Sequence, residues 1–154
     1  MWLLFALGSA FFAGITAVLA KLGIHGHDST LVTALRTSIV FLGAWIVGAI
    51  SIKGHFVPQL TALTPRTYLF LFLSGLATGA SWLCFFAALS RAPVTLVSPI
   101  DKSSTIIAIA FAVIFLGERL SPIACIGVLA LAAGITLTLE PGTLRSLVSQ
   151  RAKH

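Results

Sequence analysis

Five stretches of the chain read as apolar runs of about the length that crosses a bilayer as helix. They are Trp2–Leu22, Thr30–Ile52, Thr67–Leu89, Val94–Leu116 and Pro122–Leu139. Each stops at polar, Gly or Pro punctuation: Gly23 to Asp28, Lys53-Gly54-His55, Ser90 to Pro93, Gly117-Glu118-Arg119 and Pro141-Gly142. A closed β-barrel also satisfies every backbone group in lipid, but it needs strands of about 9–11 residues with period-two alternation. These runs are longer and do not alternate. The pattern therefore predicts an all-α transmembrane fold, a five-helix bundle over residues 1–141, followed by a basic polar tail over 142–154. The first run has no basic segment before it and is long enough to span, so it reads as a retained helix rather than a signal peptide.

Composition supports the pattern. The 154 residues are 58% hydrophobic and 9% charged, with a mean hydropathy of +1.06. A soluble domain carries about 25% charged residues and could not hide this much apolar surface. Disorder needs low hydrophobicity and high net charge, so it is excluded too. Ten Lys and Arg against four Asp and Glu give a net +6. Most of the basic residues stand singly at the ends of apolar runs, where orientation and snorkelling explain them, so membrane lipid rather than nucleic acid is the expected surrounding. An odd number of spans puts the termini on opposite sides. The N-terminal side then carries Lys53, Arg66 and Arg119, and the C-terminal side Lys21, Arg91, Arg145, Arg151 and Lys153. Three against five favours a cytoplasmic C-terminus by a small margin, which the tail supplies.

The polar residues inside the runs need a reason to be there, because ionisable groups within a span are costly. Arg36 lies seven residues into the second run; Asp101 and Lys102 lie about as far into the fourth. Both helices enter from one face, so at 1.5 Å per residue all three sit roughly 10–13 Å below it. Thr95, Ser98, Asp101/Lys102 and Thr105 recur at helical spacing on the fourth run, as do Thr33 and Arg36/Thr37 on the second and Ser74, Thr78, Ser81/Trp82 and Phe85 on the third. Such stripes would line a wet cavity. Pro99 removes a backbone donor just before the charges and is expected to bend the fourth helix.

Two readings of the charges compete. An Arg36–Asp101 salt bridge would merely hold two helices together. A solute-contacting or coupling site would make use of the positive charge left over when Arg36 and Lys102 are set against Asp101, and that surplus favours an anionic solute. Ser98, Thr105 and Trp82 are the expected lining. Glu118 and Arg119, ending the fourth run on the opposite face, read as a local ion pair or a gate. His25-Gly26-His27-Asp28 reads as a solvated turn rather than a metal site, and Cys84 and Cys125 as small packed hydrophobes; no metal or cofactor is expected. Ala6, Ala10 and Gly14, then Gly75 and Gly79, then Gly127, Ala130 and Gly134, form small-residue ridges suited to internal packing or to a subunit interface.

The stretch Pro99-Ile100-Asp101-Lys102-Ser103-Ser104, the turn Gly117-Glu118-Arg119-Leu120-Ser121 and the following Gly127 to Leu137 resemble the EamA domain of the drug/metabolite transporter superfamily. The Gly-Glu-Arg-Leu-Ser turn between two apolar helices carries most of the likeness, and helix order and length match over nearly the whole chain. One departure is that many EamA domains have proline where this chain has Thr105; here the proline is Pro99. Superfamily members commonly hold two inverted five-helix repeats, with the solute at the repeat interface. The resemblance therefore implies a single-repeat transporter that works as a homodimer, in antiparallel arrangement, in a plasma or inner membrane of bacterial type. Small multidrug-resistance proteins of the same superfamily carry a membrane-embedded Glu in their first helix. Trp2–Leu22 holds no carboxylate, so Asp101 is the candidate coupling acid.

The combined expectation is a secondary transporter of a small metabolite or drug-like solute, working by alternating access. No nucleotide-binding motif is present to drive it with ATP. The alternative is a non-transporting membrane subunit that helps another membrane protein assemble. An enzyme is not expected, since no paired carboxylates, His cluster or nucleophile–base pair lies within the spans.

Overall fold

The computed structural model describes residues 1–52 and 62–139, and these group into two compact units that divide after Arg91. The basic tail, Pro141-Gly142 and the Lys53-Gly54-His55 loop lie outside the described residues. The described chain is helical throughout, with no strand.

The first unit holds α1 (Trp2–Ile24), α2 (Ser29–Ile52) and α3 (Pro65–Arg91). α1 ends where Gly26 takes the left-handed conformation, φ 78°, which lets the His27 amide donate to the Ile24 carbonyl at 2.9 Å. Asp28 then starts α2: its carboxylate accepts from the amides of Thr30 at 2.8 Å and Leu31 at 3.0 Å. α3 begins two residues before the apolar run, because Thr64 and Pro65 supply a helix start. The Thr64 hydroxyl accepts from the Thr67 amide at 3.3 Å, and Pro65 occupies the first turn, where a missing N–H costs nothing.

α3 packs against both α1 and α2. The buried positions are Ala17, Ala20 and Ile24 of α1, Thr33 of α2, and Phe86 and Leu89 of α3. All lie toward the α1–α2 turn, so that end of the three helices is where they close on one another. Small residues at 17 and 20 allow α1 a close approach, and the Lys21 Nζ donates to the Leu89 main-chain carbonyl. Toward the other ends large apolar side chains such as Trp2, Phe5, Ile50 and Phe72 are exposed, as suits surfaces facing lipid.

The second unit holds α4 (Val94–Asp101), α5 (Ser103–Phe111), a π-helical turn (Ala112–Leu116) and α6 (Pro122–Thr138). The fourth apolar run is thus helical over its expected length, but in three pieces. Pro99 has no N–H to give the Thr95 carbonyl. Three residues on, the Lys102 amide is shared between the carbonyls of Ser98 at 3.2 Å and Pro99 at 3.1 Å. Lys102 itself has ψ −11°, and the helix restarts at Ser103. The π turn closes on Gly117 at φ 70°, and the Glu118 amide reaches back to the Ala112 carbonyl at 3.3 Å. A side chain at Gly117 would be strained by its backbone conformation even though the space around it is open. Ser121 caps α6 by accepting from the Ala124 amide at 3.2 Å, with Pro122 in the first turn. α6 packs against α4 and α5, and the buried apolar residues of the unit are Leu96, Val97 and Ile135.

Among the described residues four helical segments are long and apolar enough to cross a membrane: Trp2–Ile24, Ser29–Ile52, Pro65–Arg91 and Val94–Leu116. α6, with 17 residues, reaches the low end of spanning length. The fold class is all-α and transmembrane, as the apolar runs predict.

Candidate functional site

Arg36 is placed by the second turn of α2, about 10 Å along the helix from Ser29. Its guanidinium lies over two rings of α3: Cζ is 4.6 Å from the centroid of the Trp82 ring and 5.3 Å from that of Phe86. Trp82 and Phe86 are four residues apart, so one face of α3 presents both. The ring quadrupoles attract the cation. Its N–H groups are a different matter. Nη1 is shut off from solvent and has no hydrogen-bond partner among the described residues. A buried charged donor left without an acceptor is costly, of the order of 1–3 kcal/mol or more, and such groups are rare enough to require an explanation.

The hydroxyls nearby on α2 do not provide one. Thr33, itself buried, donates to the Ser29 carbonyl at 2.7 Å, and Thr37 donates to the Thr33 carbonyl at 2.7 Å. Phe86 is almost fully buried at 1% exposure and makes an edge contact with Phe85, centroids 6.0 Å apart. Of the two expected groups on this unit, Arg36 and Trp82, the structure makes direct neighbours. Phe86 is the member that the polar stripe of α3 does not reveal.

In the second unit Asp101 closes α4 and Lys102 occupies the break before α5. Their side chains form an ion pair at 3.5 Å, with Lys102 52% and Asp101 34% exposed. Ser98 supplies one of the carbonyls that the Lys102 amide uses, and the Thr105 amide donates to the Lys102 carbonyl at 3.1 Å. The backbone around the break thus ties Ser98, Pro99, Lys102 and Thr105 into one local structure, with Asp101 inside it. Glu118 and Arg119 are exposed in the turn after the π segment. Among the described residues no group of three or more His, Cys, Asp or Glu is arranged to hold a metal.

Near the α1–α2 turn, Lys21, Ile24, His25, Gly26, His27 and Ser90 line a cleft of about 330 Å³. The Ser90 hydroxyl donates to the Ala87 carbonyl at 2.8 Å, as does Arg91 Nη1 at 2.8 Å, so these polar groups serve the end of α3.

Comparison with known proteins agrees with the likeness read from the turn and the flanking helices. No solved structure matches the chain. An uncharacterized transporter in the cobO 3′ region of a Sinorhizobium species is 41% identical over 136 residues, covering 88% of this chain and 94% of that protein. The model of the EamA-like transporter family matches residues 1–140. The match takes in both helical units, the Asp101-Lys102 break and the Gly117–Ser121 turn, and the chain belongs to the EamA-like transporter family.

Proposed function

We propose that this integral membrane, multi-pass protein is a secondary transporter of a small metabolite or drug-like solute, working by alternating access as a dimer. The observation that carries the reading is Arg36: a guanidinium deep in an apolar helix, seated on Trp82 and Phe86, with Nη1 buried and without an acceptor. A purely structural arginine would be expected to end on a carbonyl or carboxylate of its own fold; one that keeps a buried donor open is suited to a partner that comes and goes.

In this reading Arg36 and Trp82 contact the solute, and Asp101 is the coupling acid with Lys102 beside it. Ser98 and Thr105 line the path. The interrupted helix at Pro99–Lys102 is the flexing element, and Glu118 with Arg119 gate the far side. The relative's name as a transporter and the family both support the general role. Two oppositely inserted copies would supply the inverted repeats on which many secondary transporters are built. The membrane is proposed to be a bacterial inner membrane, with the C-terminus cytoplasmic in the preferred orientation.

The test is flux. The purified chain in liposomes loaded with a pH-sensitive dye is challenged with organic acids, amines and neutral solutes under an imposed proton gradient. At least one class should move protons with it, and Arg36→Met should lower that rate about tenfold or more while the protein stays folded. Folded protein that moves protons with no class in the panel would sink the transporter reading and leave a membrane assembly partner in its place.

A further inference from the structure

The charges of the first unit do not balance. Residues 1–91 contain Lys21, Arg36, Lys53, Arg66 and Arg91 against a single acid, Asp28. That carboxylate is turned onto the first amides of α2, two helical turns away from Arg36 along the same helix. Lys21, from the last turn of α1, and Arg91 both donate to carbonyls at the C-terminal end of α3, those of Leu89 and Ala87, where a cation is favoured by the helix dipole. Arg66 sits in the first turn of α3 against the Phe70 ring, 5.6 Å from its centroid. Arg36 is different: it lies well inside its span, and its open donor has no acceptor among the described residues.

The geometry fixes what kind of acceptor would suit it. Both rings lie beside the guanidinium carbon and neither supplies a lone pair, so what a partner must meet is the Nη1 N–H, part of the planar fork of guanidinium donors. A planar carboxylate matches that fork, and an ionised acceptor makes the stronger bond. The surroundings select the rest of the molecule. Trp82 and Phe86 are aromatic, and the Thr33 and Thr37 hydroxyls, whose protons go to their own helix, keep only acceptor capacity, so a hydroxyl-rich body would give up more water contacts than these two acceptors replace. An aromatic or aliphatic body would not. A lipid headgroup is the wrong source, because its phosphate stays at the surface. An arginine serving it would snorkel outward, whereas this one is held on Trp82, nine residues before the end of α3 and roughly 13 Å from it.

We infer that Arg36 takes the carboxylate of a monoanionic organic acid with an apolar or aromatic body, with Trp82 and Phe86 seating the guanidinium beside it. The inference rests on reading this unit as the solute-contacting part of a transporter, and it narrows the solute to a chemical class. Trp82 touches Arg36, so its emission reports the event.

The experiment uses the full chain in phosphatidylcholine nanodiscs, with Trp2→Phe and Trp45→Phe substitutions so that Trp82 is the remaining indole. Benzoate and its neutral isostere benzamide are titrated against Trp82 emission. Benzoate should change the emission saturably, with benzamide weaker by about tenfold or more, as expected for one lost charge-assisted hydrogen bond. Arg36→Met should lose the preference for benzoate and Arg36→Lys should keep part of it. Equal responses to benzoate and benzamide, a preference that survives Arg36→Met, or no saturable response from folded protein would each overturn the inference. If Arg36→Met does not fold, the benzoate–benzamide comparison on the unaltered arginine decides. Benzoate binding without flux of any organic acid would overturn the transporter reading alone. Flux of an amine without benzoate binding would overturn the acid alone.

Discussion

Arg36 sits on Trp82 and Phe86, about one helical turn apart on α3, and the packing of α3 against α2 brings both rings to the guanidinium. The polar stripe of α3 includes Trp82 but runs on to Phe85, so spacing alone names the neighbouring phenylalanine instead of Phe86. Asp28 shows the opposite case, a residue whose role follows from position alone. A carboxylate just before an apolar run is a helix start, and it accepts two amides there. Those two bonds, Leu31 first and Thr30 second, hold its pKa below the ordinary 3.8. A depressed folded-state pKa means that the cap contributes its full stability above the unfolded value and loses it as pH falls through the folded one. Asp28→Ala should therefore lower the melting temperature at pH 7, and the gap to the unaltered protein should close as the pH drops below 3.8. Asp28→Asn keeps the acceptor without the titration, so its melting temperature should not share that pH dependence. Circular dichroism melts of the three proteins in one detergent decide the matter, and a gap that stays constant with pH would remove the cap from the account.

At the scale of elements hydrocarbon thickness dictates the length of an apolar run, and each run must end in polar or helix-stopping residues. What the pattern could not show is the internal state of the fourth run. Hydropathy is the same for a straight helix and for one cut at Lys102 and finished in a π turn, since neither feature changes the order of apolar residues. Pro99 signals a fault but not its place. The break appears three residues later, where the Lys102 amide divides itself between two carbonyls instead of making one α-helical bond. If Pro99 causes this, restoring the missing donor should mend it. Pro99→Ala is expected to give the Thr95 carbonyl a partner, slow amide exchange over Ile100–Thr105, and raise stability by about 1–3 kcal/mol. It should also slow transport, because a mended helix loses the flexing element. Exchange rates that do not change would assign the break to the Lys102 turn itself.

For the whole molecule, the sequence showed an all-α membrane protein and its family through the Gly117–Ser121 turn, yet it left the small-residue ridges undecided between internal packing and association. The structure weighs on that question at α6. A Cβ added at Gly127 or Gly134 would meet no atom within 4 Å among the described residues, and both glycines and Ala130 between them are exposed. Glycines at a tight internal contact would have shown the opposite. They are also unhelpful to the helix itself, each costing about 1 kcal/mol relative to alanine. A ridge that meets no described residue and weakens its own helix suits the dimer proposed above, since close backbone approach between helices is what such ridges permit in lipid. The dimer reading then makes opposite demands on two measurements. Gly127→Leu with Gly134→Leu should leave the melting temperature of the monomer in detergent unchanged or raised, because the helix gains and nothing clashes. The same pair should reduce the dimer, measured by native mass spectrometry or by cross-linking in membranes, and with it the flux. A fall in monomer stability would mean that the ridge packs within the chain after all. An intact dimer would move the interface to another face, such as the Ala6-Ala10-Gly14 ridge of α1, whose Gly14 is equally open.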